Sequence, residues 1–429
     1  MIPVKKTPGD VQWFVHDRFG LFIHWGIYAL PARHEWVKTR ERIPEEKYDI
    51  YFKNFDPDLY DPEAWMDVAY RAGMRYVVVT TKHHDGFCLW DSALTDYKAT
   101  NTPARRDLIK PLVEAARARN MRVGFYYSLI DWHHPDFVID GIHPLRDHPD
   151  VEALNQKRNQ ERYAAYLHGQ VEELLTRFGQ VDIMWLDFSY PNRPGGGKGR
   201  ADWQSEKLYS LIRRLQPNII LNDRMDLDEG WDLVTPEQLQ PREWVTIKGE
   251  RVVWEACQTF SGSWGYYRDE ASWKSVDQLV RMLIDTVSKG GNLLLNVGPT
   301  ARGEFDYRAL ERLNGIGEWM KWHSRSIYGC TQAPKDLVAP EDCRYTYNPE
   351  TGRLYVHLFA WPFKHLHLDG LAGKVEYAQL LNDASEIQID TSLQPGDKKG
   401  FVDRQTLTLV LPVQKPPVTV PVIELFMKK

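Results

Sequence analysis

Polar side chains that close short apolar runs are where this sequence could do chemistry, and six such closures fall in its first 260 residues. They are His24-Trp25-Gly26, His83-His84-Asp85-Gly86, Tyr126-Tyr127, Trp185-Leu186-Asp187, Asn222-Asp223-Arg224 and Trp254-Glu255. An Asp behind a strand usually caps a helix or opens a turn. No helix signal starts after Asp187, however; Pro191-Asn192-Arg193-Pro194 and three glycines read as a loop. A carboxylate closing the apolar run Val181–Asp187, beside Trp185, suits a nucleophile that attacks an anomeric carbon. The adjacent His83 and His84 raise a different chemistry, because neutral imidazole is a common metal ligand. On a regular strand the two rings would point to opposite faces, and no H-E-x-x-H spacing accompanies them. Recognition of sugar hydroxyls is the preferred reading, with core packing or support of other groups next and a metal site last.

Bringing these residues together requires a scaffold, and the hydrophobic pattern supplies one. Short β-branched and aromatic runs alternate with amphipathic helical stretches through about residue 325, as βα units around a parallel sheet do. Strands are predicted at Leu21–His24, Arg75–Thr81, Arg122–Ser128, Val181–Asp187, Asn218–Asn222, Val252–Glu255 and Asn292–Val297. Helices are predicted at Pro62–Arg71, Leu108–Arg119, Asn155–Phe178, Trp203–Leu215, Ser275–Ser288 and Tyr307–Trp322. The fold class is α/β: a (β/α)₈-like barrel with one strand or helix missing or irregular, a doubly wound sheet being the alternative. In such a barrel the active site lies at the carboxyl ends of the strands, where all six closures fall. Beyond Cys330 strand-like alternation takes over at Leu354–Trp361, Val375–Leu381, Glu386–Asp390, Thr406–Leu411 and Val418–Phe426. The change near Gln332–Val338 divides the chain into a barrel over residues 1–331 and a β-sandwich over residues 332–429, with no internal repeat.

Composition narrows the function classes. At roughly 150 residues per domain, the 429 residues make about three domains, or two if one is a large barrel. With 43% hydrophobic and 26% charged residues, a core forms without disulfides or metals. A net charge of −5 with scattered Lys and Arg argues against nucleic acid or an acidic membrane as the main partner. The 16 Trp, 21 Tyr and 16 Phe include several near His and carboxylates, where flat apolar faces suit sugar rings, against the alternative of plain core packing. Cys88, Cys257, Cys330 and Cys343 show no C-x-x-C spacing, so free thiols are expected. Met1–Lys6 is not followed by an apolar stretch, and no run of about 18 apolar residues occurs. A soluble chain is expected: cytoplasmic, or secreted or periplasmic if a leader has been trimmed. Oligomeric state has no signature in the sequence.

Several segments together resemble the α-L-fucosidases of glycoside hydrolase family 29. They are His24-Trp25-Gly26, Glu35-Trp36, Lys82-His83-His84-Asp85-Gly86-Phe87, Phe125-Tyr126-Tyr127-Ser128, Trp185-Leu186-Asp187, Trp254-Glu255-Ala256-Cys257 and Ser288–Pro299. They occur in the family's order from about residue 13 to residue 330. The resemblance implies an exo-acting retaining enzyme that needs no cofactor and no metal, acts on fucosylated oligosaccharides or glycoconjugates, and uses Asp187 as nucleophile. It also implies a fucose pocket lined by His24, Glu35, Trp36, His83, His84, Tyr126, Trp185, Arg224 and Trp264. The general acid/base is expected at Glu237, in Thr235-Pro236-Glu237-Gln238, with Glu255 as the alternative. Phe188 departs from the family, which commonly places a small residue after the nucleophile, and this alters the expected shape of the neighbouring subsite. Two rival readings are a fucose-binding protein without catalysis and a metal-dependent barrel hydrolase. The first would have no reason to keep both Asp187 and an acid candidate.

Overall fold

Strands buried on both faces need a sheet covered by helices, and eight strands, most of them apolar runs, form one parallel sheet. The computed structural model describes residues 4–194, 196–390 and 405–428; Met1–Pro3 and Gly195 of the predicted loop lie outside the described residues. The strands are β1 (Phe19–Ile23), β2 (Tyr76–Lys82), β3 (Arg122–Ser128), β4 (Ile183–Asp187), β5 (Ile220–Leu221), β6 (Leu233–Val234), β7 (Val253–Thr259) and β8 (Asn292–Val297). Their order is β5-β4-β3-β2-β1-β8-β7-β6, every pairing parallel. The two end strands approach each other through a single parallel bridge, Asn222 to Leu233, and the Asp232 N–H donates to the Leu221 carbonyl at 2.7 Å. The result is a nearly closed barrel with a thin seam. The strand missing from the sequence reading is β6, only two residues long.

Three sequence expectations need correction. Helix Asn155–Phe178 is two helices, Val151–Asn155 and Gln160–Arg177, because Asn159 accepts a hydrogen bond from the Arg162 N–H and starts a new helix as its cap. Helix Trp203–Leu215 is likewise broken, into Arg200–Trp203 and Ser205–Leu215, at Gln204, whose φ of 49° is left-handed. The third matters most for the site. Strand β7 does not end at Glu255 but runs on to Thr259, every residue buried, so Glu255 lies within the barrel rather than at its mouth.

Beyond the barrel the described residues form two antiparallel sheets. One has five strands in the order Thr331–Gln332, Cys343–Asn348, Arg353–Leu358, Val422–Met427, Val375–Leu380; the other has His365–Leu368, Leu407–Val410 and Gln388–Ile389. Leu354, Val356 and Leu425 of the first and Leu368 and Leu409 of the second share one core. Cys343–Asn348 and His365–Leu368 escape the sequence reading because their polar residues mask the alternation. The barrel grips this unit through Arg344 Nε to Asp285 Oδ1 at 2.9 Å and Trp319 Nε1 to the Val420 carbonyl at 2.9 Å.

Candidate active site

At the carboxyl face of the barrel lies a cavity of about 280 Å³. His24, Glu35, Trp36, His83, His84, Tyr126, Trp185, Asp187, Arg224, Glu237 and Trp264 all line it; Glu255 does not. Its floor is buried, whereas Trp36 and Trp264 are partly exposed and Glu237 is exposed at its mouth.

Asp187, the last residue of β4, is held from two sides: Tyr126 donates its hydroxyl to Oδ2 at 2.7 Å and Arg224 donates Nη1–H to Oδ1 at 2.8 Å. Burial alone would raise the Asp187 carboxyl, but the Arg224 cation and the Tyr126 hydrogen bond outweigh it and hold the group below its ordinary value. Asp187 is therefore held as the ionised carboxylate. Arg224 is itself rigid. Its Nε–H donates to Thr235 Oγ1 at 2.9 Å, and its guanidinium lies 4.5 Å above the centre of the Trp185 ring. The same Nη1 donates to Glu237 Oε2 at 2.7 Å. One nitrogen thus touches both carboxylates, and its contacts of 2.8 and 2.7 Å limit those two oxygens to a separation of at most 5.5 Å, their sum.

The histidines are neutral hydrogen-bonding groups. Burial pushes His24 and His84 down to about 4 and His83 well below its ordinary value. Ser128 Oγ donates to the Ile130 carbonyl, so His84 Nδ1, 2.6 Å away, must be the donor to Ser128, leaving Nε2 as an acceptor. His24 is arranged alike: Asn296 Nδ2 donates to the Trp264 carbonyl, so Asn296 Oδ1 accepts from His24 Nδ1 at 2.6 Å. His83 Nδ1 is buried without a hydrogen-bond partner among the described residues. The expectation that His83 and His84 face opposite ways is wrong. β2 stops at Lys82, and in the turn that follows the two ring centroids lie 4.0 Å apart, both rings on the cavity. Among the described residues no group of three His, Cys, Asp or Glu is placed to hold a metal ion. Nor is any helix among them long and apolar enough to cross a membrane. All four cysteines are free and buried.

Sequence reasoning missed some of the lining. Phe22 and Cys257 stand two residues from His24 and Glu255, on the same inward faces, so strand alternation could have found them. His34 and Arg40 come from the segment folded over the mouth after β1 and carry no signal beyond their nearness to Glu35-Trp36. His34 Nδ1 lies 3.3 Å from Glu35 Oε2, which also accepts the Gly265 N–H at 2.8 Å. Burial would raise the Glu35 carboxyl, yet these contacts bring it down to about 2.

Glu255 sits beneath this cavity, 0% exposed, accepting from Tyr76 Oη at 2.6 Å and Trp185 Nε1 at 3.2 Å. Burial pushes its carboxyl from 4.5 up to about 7, against those two hydrogen bonds, which favour the ionised form. Since the folded chain holds this proton to higher pH than the unfolded chain, the associated stability is full below about pH 4.5 and is lost as pH rises through about 7. Across that window the native chain should lose about 3 kcal/mol relative to Glu255→Gln, measured by denaturant unfolding at each pH. Parallel pH curves for the two proteins would contradict this.

Two carboxylates held close together in a small cavity at the carboxyl face of a parallel barrel are the equipment of a glycoside hydrolase, and that is the class of this enzyme. Residues 5–325 match the family model described as alpha-L-fucosidase, and the chain belongs to that family, glycoside hydrolase family 29. It is 30% identical to the plasma alpha-L-fucosidase of Rattus norvegicus over 413 residues, 88% of this chain and 82% of the relative. Among solved structures it resembles alpha-L-fucosidase isoenzyme 1 from Paenibacillus thiaminolyticus, with a TM-score of 0.90 and 45% identity over 98% of this chain and 99% of that one. A family 29 alpha-L-fucosidase from Bacteroides thetaiotaomicron, trapped as a covalent intermediate with 2-fluoro-fucosyl fluoride, matches with a TM-score of 0.83 and 25% identity over all of both chains.

Proposed function

We propose that this chain removes terminal α-L-fucosyl residues from fucosylated glycans by double displacement, with Asp187 as nucleophile and Glu237 as general acid/base. The observation that carries the assignment is the shared Arg224 contact, which keeps the two carboxylates within 5.5 Å. Retaining glycosidases space theirs at about 5–5.5 Å and inverting ones at about 6.5–9.5 Å, leaving room for a water. Placement at the cavity also favours Glu237 over Glu255, which is walled off behind Trp185.

In the first step ionised Asp187 attacks the anomeric carbon while a protonated Glu237 gives its proton to the departing oxygen. A protonated Glu237 can still accept from Arg224 Nη1 through one oxygen while the other gives its proton to the glycosidic oxygen, and its side chain is 42% exposed at the mouth. In the second step the ionised Glu237 takes a proton from the water that frees the sugar. Fucose offers three hydroxyls to the neutral histidines and Glu35, while its methyl group and ring face suit Trp185, Trp264 and Phe22. The unit that performs this chemistry is the barrel over residues 1–331, with residues 332–429 as an attached β-sandwich.

His83→Ala or His84→Ala should weaken transition-state binding by about 2–3 kcal/mol in kcat/KM, because a buried hydroxyl loses its partner. Steady-state kinetics on an aryl fucoside measure it; wild-type values in both variants would remove the histidines from the fucose pocket. The function as a whole is tested by hydrolysis of 4-nitrophenyl α-L-fucoside followed by NMR. The proposal expects α-L-fucose as the first-formed product, and β-L-fucose would exclude double displacement.

A further inference from the structure

Phe188 directly follows Asp187 and has a φ of 84°, a conformation that a bulky residue adopts only where its surroundings enforce it. Glycine would relieve the strain, yet an aromatic ring is kept there, half-buried on the cavity wall. It is held firmly. Its centroid lies 5.3 Å from Trp36, 5.1 Å from His84 and 5.2 Å from Tyr190. Tyr190 is in turn fixed by its hydroxyl, which donates to Asp140 Oδ2 at 2.6 Å, and Asp140 pairs with the buried Lys198. Arg40 also reaches the cavity, one helical turn beyond Trp36, with its N–H bonded to the Trp36 carbonyl at 2.9 Å. Its side chain is exposed and has no carboxylate partner among the described residues.

A cavity of about 280 Å³ with a buried floor has room for one sugar ring, so the rest of any glycan must leave through the mouth, past the exposed Glu237. We infer that Phe188, braced by Trp36 and joined by Arg40, is the binding site for the leaving-group sugar, a pyranose whose apolar face lies on the Phe188 ring and whose hydroxyls accept from the Arg40 guanidinium. An aromatic face and a fork of N–H donors match the two kinds of surface a pyranose presents. Phe188 follows Asp187 directly in the chain and lines the same cavity, which puts its ring close to the reacting carbon. This inference rests on the fucosidase reading.

The test compares two substrates. α-L-Fucosyl fluoride carries no leaving-group sugar and reports on the fucose pocket; a fucosylated disaccharide reports on both sites. Phe188→Gly suits the backbone conformation and should lower kcat/KM for the disaccharide about tenfold more than for the fluoride. Phe188→Tyr, which keeps the ring, should restore the ratio, and Arg40→Ala should shift it in the same direction as Phe188→Gly. Equal losses on both substrates, or an unchanged disaccharide rate in Phe188→Gly, would overturn the inference while leaving the fucosidase reading intact. A wild-type chain inert toward fucosyl fluoride would overturn that reading and the inference with it.

Discussion

Asp187→Ala is expected to lower kcat/KM by about 10⁴-fold or more, for good and poor leaving groups alike, because it removes the atom that forms the covalent bond. Both groups that hold Asp187, Tyr126 and Arg224, sit on other elements of the barrel, so the fold should survive while the chemistry stops. Azide can enter the space the carboxylate leaves. It would then attack the α-fucoside from the side of the missing nucleophile and give β-L-fucosyl azide, with inverted configuration. Kinetics on an aryl fucoside with and without azide, and the configuration of the product, check this. Residual activity near the wild-type level would remove Asp187 from the mechanism.

The second large effect belongs to Glu237 and depends on the leaving group. A general acid matters in proportion to how badly the departing oxygen needs a proton. Glu237→Ala should therefore cost about 10²–10⁴-fold on a fucosyl disaccharide but spare fucosylation by an activated aryl fucoside. Without base help for the water, the fucosyl-enzyme should accumulate, and azide, which needs no deprotonation, should restore turnover and give α-L-fucosyl azide with retained configuration. Glu255→Ala should show neither the leaving-group dependence nor the rescue, because its carboxylate faces Tyr76 and Trp185 inside the barrel. Rescue of Glu255→Ala in place of Glu237→Ala would exchange the two assignments and leave Asp187 untouched.

How far the sequence reveals this arrangement depends on whether a residue's duty is local. Strands β3 and β8 are predicted with their observed limits because each is a compact run bounded by turn or helix signals. Strand β7 is misread because Cys257-Gln258-Thr259 looks polar as text, although the barrel buries every one of those residues. That error alone made Glu255 look like a residue of the mouth. Strand β6 is too short to leave a period, and only its neighbours across the seam make it a strand. Among the cavity residues, those that close strands are legible from their position. Arg40 and His34 are not, since they reach the cavity by folding over from a connecting segment whose path is a tertiary property. The two histidines were legible as a pair but not in direction, because the end of β2 at Lys82 frees both to turn the same way.

The most direct test of the central claim is to trap the covalent intermediate and find the atom that holds it. Incubation with 2-deoxy-2-fluoro-α-L-fucosyl fluoride, digestion and mass spectrometry of the labelled peptide should place one fluorofucosyl group per chain on Asp187. A label on any other carboxylate, or hydrolysis of the reagent with inversion and no labelled peptide, would contradict the account.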